Sequence, residues 1–224
     1  MIKALKNSLK IATLFALVLG AAPSVQAAAK TSKALSTVTK KYRDSKMVEM
    51  TTDRVIKSEL LGKETTYKGK IFLAGGKFRW ENTTPEETLL VFDGSNIWSV
   101  QYPPKEFGGA VQVARGKVTK KNKSQILISS LLGTEPIEKN FKILSEKTDG
   151  DKVVVQVAPQ GSDLTIKTLD LTVNTKTKIL TEISYLDDVG NLTTMKFSDV
   201  KFQNKLDKKR FQYQPPKDAQ VSEL

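Results

Sequence analysis

The chain has 224 residues, no cysteine and no histidine, and 36 basic against 24 acidic side chains give it a formal charge of +12. Those absences exclude zinc sites built on thiolate or imidazole, cysteine nucleophiles, Ser-His-Asp triads and disulfides. The fold must rest on burial and hydrogen bonding, and carboxylate pairs remain possible for acid-base chemistry.

Residues 1–27 read as an export leader. Lys3, Lys6 and Lys10 form a positive start, residues 11–20 an uncharged apolar run, and Val25-Gln26-Ala27 a small-residue cleavage site, with the cut between Ala27 and Ala28. The apolar run is shorter than the roughly 20 residues that cross a bilayer core. No cysteine stands at the cut to carry a lipid, so the product is expected to be a released, soluble molecule. Removing the 27 leaves 197 residues, enough for one domain over 28–224. Subtracting the three leader lysines from +12 leaves +9. In an exported protein that excess suits anionic headgroups or an acidic protein partner rather than nucleic acid, and it also keeps a surface soluble.

Residues 32–45 predict an amphipathic helix with Leu35, Val38 and Tyr42 along one stripe. The period then changes to two. Residues 47–57 and 65–73 predict strands separated by Leu61-Gly62-Lys63, with a bulge at Gly69. A meander follows over 76–102. In its first strand Phe78, Trp80 and Asn82 alternate with Lys77, Arg79 and Glu81, and a turn over 82–85 leads to a second strand at 88–92. Asp93-Gly94-Ser95-Asn96 predicts a tight hairpin, and a third strand at 97–102 carries Trp98 before Pro103-Pro104 stops it. Both tryptophans of the chain thus fall in one small meander, as sheet core or as a binding surface.

Residues 107–118 read either as a short strand with glycine-rich edges or as a loop. A basic run at 120–123 precedes a short apolar helix over 124–132, which Ser124 can cap and Gly133 can end. So short a helix must lie on an apolar surface, either as a core plug or as a lid that lifts. Strands are predicted at 141–147, 152–158, 164–173, 179–186, 192–197 and 211–214, separated by turn residues. About eleven strands and few helices predict a mainly β fold, an incomplete, half-open antiparallel barrel or strongly curved sheet. The doublets Glu86-Glu87 and Asp187-Asp188 lie beside turns, and neighbours on a strand point to opposite faces, so neither makes a catalytic pair. A binding protein is expected rather than an enzyme, with no cofactor or metal.

The order of these parts resembles the LolA family, the periplasmic carriers of outer-membrane lipoproteins. The resemblance rests on the Phe-x-Trp strand at Phe78 and Trp80, the Leu-Val-x-Asp-Gly-x-x-Ile-Trp block from Leu90 to Trp98, residues 187–191, and the ending with Phe211 and Pro215-Pro216. It implies a half-open barrel with a short helical lid over a hydrophobic cavity that takes up lipoprotein acyl chains. It further implies a monomer in the periplasm, an inner-membrane ABC transporter as donor and an acceptor at the outer membrane. Phe78, Trp80, Leu90, Phe92, Trp98, Leu127, Ile128 and Leu131 are the expected cavity or lid residues. One departure stands out: where the family usually has Arg-Pro, this chain has Ala74 and Gly75, and Arg79 falls on the face opposite Phe78 and Trp80. A lipid- or lipoprotein-sensing module, or a carrier of another lipid, is the alternative.

Overall fold

The computed structural model of the protein describes residues 31–117, 119, 131–132, 135–161 and 166–224. Its first element is α1 (Lys33–Asp44), begun by Ser32, whose hydroxyl accepts from the Leu35 N–H at 3.1 Å, and buried along Leu35, Val38, Thr39 and Tyr42. Strands follow in chain order: β1 (Met47–Lys57), β2 (Glu64–Ala74), β3 (Lys77–Thr84), β4 (Thr88–Phe92), β5 (Asn96–Gln101), β6 (Gln112–Lys117), β7 (Phe141–Asp149), β8 (Lys152–Pro159), β9 (Leu169–Asn174), β10 (Ile179–Leu186), β11 (Leu192–Gln203) and β12 (Gln220–Glu223). They form one sheet in the order β12-β6-β5-β4-β3-β2-β1-β11-β10-β9-β8-β7. All neighbours run antiparallel except β12, which lies parallel to β6. With β12 and β7 at opposite ends the sheet does not close, and the fold is mainly β, as predicted, with twelve strands in place of eleven.

Residues 47–57, 88–92 and 179–186 are strands with the predicted limits, and the undecided stretch 107–118 contains β6. The leader and most of the 124–132 helix, Leu127 and Ile128 included, lie outside the described residues. Leu131 and Leu132 are described, helical and buried. The strand predicted from 164 begins at Leu169. The strand predicted at 211–214 is a correction. Phe211 instead ends a 3-10 turn, Lys208–Phe211, and its ring is buried against Met47, Phe72 and Ala74. Pro215-Pro216 carry no N–H for a ladder, and the Phe-x-Tyr alternation there serves packing across the sheet rather than pairing within it. The strand near this end, β12, lies further on.

Alternation gives the sheet two different faces. On the inner face Val48, Met50, Ile71, Leu73, Phe78, Phe92, Val155, Leu171, Ile183 and Met195 form one continuous core cluster with α1. Tyr42 anchors the helix there. Its hydroxyl accepts from Leu180 N–H at 3.3 Å, its ring meets Phe202 edge-on at 5.1 Å, and burial pushes its ionisation far up. On the outer face Leu89, Val91, Trp98, Val100 and Val113 form a second cluster covered by Tyr213 and Ala219 from the C-terminal segment. Farther along, the outer face turns polar, with Lys196 in register with both Asp53 and Glu182.

Two of the sheet's register shifts have a visible local cause. The β2–β3 register slips at Lys68/Gly69, the predicted bulge, and there the β3 backbone approaches so closely that a Cβ on Gly69 would stand 2.1 Å from the Glu81 carbonyl oxygen. A second bulge between β1 and β11 uses Asp199 at φ +50°, a left-handed position that aspartate tolerates, with its carboxylate accepting from the Thr51 hydroxyl.

Gly69→Ala is expected to cost about 3 kcal/mol, read as a lower urea midpoint, because backbone rather than a movable side chain occupies the space. Gly62→Ala, with nothing within 4 Å, should cost only its left-handed backbone, about 1 kcal/mol. At the β4–β5 hairpin, burial raises the Asp93 pKa, but hydrogen bonds from the Asn96 and Ser95 N–H groups and the Asn96 amide outweigh it and hold the carboxyl below its ordinary value. Its stabilising contribution is complete at neutral pH and is lost as pH falls from about 4 through the lower folded value. Asp93→Asn should therefore flatten part of the acid limb of stability against pH, measured by urea unfolding.

Candidate ligand-binding face

β3 and β4 bring together four of the eight residues expected at the site. Phe78 pairs with Phe92 and Trp80 with Leu90 across the two strands, all four on the inner face. Phe78 and Phe92 are buried, at 0% and 2% exposure, inside the main cluster. Trp80 and Leu90 pack at its margin, half-buried, and the Trp80 ring meets Phe78 edge-on at 6.3 Å. Leu131 is buried in the same cluster.

Trp98 does not belong with them. It pairs with Val91, points to the outer face, and packs against Tyr213 at 5.6 Å between ring centres with Arg115 against its ring. The expectation that it lines the same surface is corrected. In β5 it is Ile97 that turns inward, and a two-residue period cannot place neighbours on one side. Leu127 and Ile128 lie outside the described residues.

Arg79 lies on the outer face, as its position in the alternation requires. Its Nε donates to Glu81 Oε1 at 2.6 Å and a terminal nitrogen to the Arg210 carbonyl at 3.3 Å. Ala74 is buried in the outer cluster around Phe211, and Gly75 is an exposed turn residue at φ +50°. Neither position puts a cation on the inner face.

The sequence reading missed the arginine that is there. Arg54 on β1 lies over the Tyr67 ring at 4.2 Å and the Trp80 ring at 4.9 Å, and burial pushes its pKa below the ordinary arginine value, with Tyr67 and Tyr185 opposing. A signal existed. Along β1 the even positions Val48, Met50, Thr52, Arg54 and Ile56 alternate with Glu49, Thr51 and Asp53, which places Arg54 on the apolar side. The surface is thus an apolar sheet face with Arg54 among aromatic rings at its margin, suited to holding an amphiphile.

Phe78→Ala is expected to lower stability by about 4 kcal/mol, whereas Trp80→Ala, removing a half-buried ring, should cost less than half of that. Urea titrations of the two variants check the difference.

A family profile described as "Outer membrane lipoprotein carrier protein LolA" matches residues 58–214. An outer-membrane lipoprotein carrier protein of Chromobacterium violaceum is 30% identical over 165 residues, 71% of this chain and 74% of the relative. One from Nitrosospira multiformis is 30% identical over 65% of this chain and 67% of its own length. Among solved structures, an uncharacterized conserved protein from Thermus thermophilus aligns over 85% of this chain and 97% of its own at a TM-score of 0.50 and 15% identity, a likeness of fold. A LolA superfamily protein from Nitrosomonas europaea aligns at a TM-score of 0.45 and 12% identity over 83% of this chain and 99% of its own.

Proposed function

Because this chain belongs to the LolA family, we propose that it is a periplasmic carrier that holds the acyl chains of lipoproteins against the inner face of its open sheet. In this reading residues 1–27 direct export and are removed, and residues 28–224 act as one carrier domain. Cargo arrives from an inner-membrane ABC transporter and leaves to an acceptor at the outer membrane.

One observation carries the reading. A single apolar cluster runs across the inner face of a sheet that never closes, and Trp80, Leu90 and Tyr185 lie half-buried at its margin. Burial stabilises an acyl chain by about 0.8 kcal/mol for each methylene removed from water. A membrane offers the same gain, so moving a chain between bilayer and protein changes apolar exposure little. Delivery then depends on the carrier's affinity staying moderate, and half-buried margin residues that exchange their own packing for cargo serve that end. Nothing in this mechanism makes or breaks a covalent bond.

The reading predicts that the protein purified from an exporting host under native conditions carries acylated peptide or lipoprotein, visible as added mass on a chain beginning at Ala28. Leu90→Asp should keep its far-ultraviolet circular dichroism yet extract a lipoprotein from membranes at least about tenfold less well, since a carboxylate cannot share an acyl-lined surface without a partner. A bare chain that also extracts no lipoprotein would overturn the assignment.

A further inference from the structure

Among the described residues, β1 and β3 carry a polar strip on the inner face. Thr52 is 1% exposed, and its hydroxyl oxygen has no hydrogen-bond partner. Two residues along the same face, the Arg54 Nε is buried without a partner as well, and so is Nε1 of Trp80, the ring that the guanidinium approaches. Oδ1 of Asn82, the next inward position on β3 and in register with Thr52 across Gly69, is a fourth, and it can only accept. Such atoms are normally satisfied, and four on neighbouring inward positions are costly unless something bonds them; the one acceptor cannot serve all the donors.

The charge is unbalanced in the same place. Among the described residues no carboxylate forms an ion pair with Arg54. Asp53, next to it in the chain, turns to the outer face opposite Lys196. Contacts with the Tyr67 and Trp80 rings offset part of the desolvation, but they consume none of the guanidinium's N–H donors. A cation held this way, with its donors free and an indole N–H and a hydroxyl beside it, matches an oxyanion in charge and in hydrogen bonding.

We propose that Arg54, Thr52 and Trp80 bind the oxyanion of an acidic amphiphile, a carboxylate or a phosphate ester, whose acyl chain lies along the adjoining apolar face. The proposal rests on the acyl-binding reading and adds a second ligand class to it: acidic amphiphiles held by head and chains, beside lipoproteins held by their chains alone. A neutral diacyl compound fills the same apolar surface but leaves the guanidinium unpaired, and so binds less well. The arginine at this place also supplies the inner face with a cation that Ala74 and Gly75 do not.

The test is calorimetric titration of the mature protein, below the micelle limit, with dodecanoate, dioctanoyl phosphatidic acid and dioctanoylglycerol. At least one acid is expected to bind about tenfold or more tightly than the neutral diacylglycerol, and the better of the two identifies carboxylate or phosphate as the source. Arg54→Met should remove that preference, and Arg54→Lys, which keeps the charge without the planar fork, should retain a weaker one. Equal affinities for all three ligands in the natural protein would overturn the proposal and leave the acyl-binding reading standing. So would a loss in Arg54→Met that falls equally on acidic and neutral ligands. Binding of none of the three would overturn the acyl-binding reading, and this proposal with it.

Discussion

The structure depends on an unequal division of burial between the two faces of one open sheet. From β2 to β6 both faces are covered, the inner by the main cluster and the outer by the segment that carries Phe211, Tyr213 and Ala219. From β8 to β11 only the inner face is apolar, and the outer presents Lys196 in register with Asp53 and Glu182. A sheet buried on both sides resists deformation, because moving it would expose two layers of packed side chains. The meander of β3, β4 and β5 is therefore a firm wall, and its inner surface is where the half-buried Trp80 and Leu90 lie.

That wall explains why so many aromatic residues crowd one meander. Phe78 and Phe92 hold its inner side to the rest of the core, Trp98 holds its outer side to the C-terminal segment, and Trp80 occupies the margin between core and solvent. Four aromatic side chains thus do three different things within 21 residues. Binding an acyl chain on such a surface adds contacts to existing packing and requires no cavity cut through the core. Arg54 fits the same logic from the other side, since a guanidinium between rings introduces polarity at the margin without disturbing the buried cluster.

Much of the fold was legible because local physics governs it. The limits of β1, β4 and β10 follow from alternation bounded by turn residues, and Ser32 and Ser45 mark the ends of α1. Gly69 announced its bulge, since a glycine inside a strand marks close backbone approach. The same alternation located Phe78 and Trp80 on one face and Arg79 on the other. Where the sequence reading failed, the deciding contact was distant. Phe211 and Tyr213 alternate like a strand, yet they pack onto side chains more than 100 residues away. β12 pairs parallel with β6, and nothing in its four exposed residues signals that partner.

What the sequence by itself determined is the set of elements, their periods and the two faces of each strand, because these are properties of neighbouring residues. From them followed a mainly β, open-sheet protein without the side chains for thiolate or imidazole zinc sites, cysteine nucleophiles or Ser-His-Asp triads, and a resemblance that the family match bears out. Tertiary structure alone decided which of two equally apolar faces became the continuous inner cluster, and so separated Trp98 from Trp80. It alone brought Arg54, Tyr67 and Trp80 together from three strands, because a strand's pattern says which side a residue takes but not which residues stand beside it there.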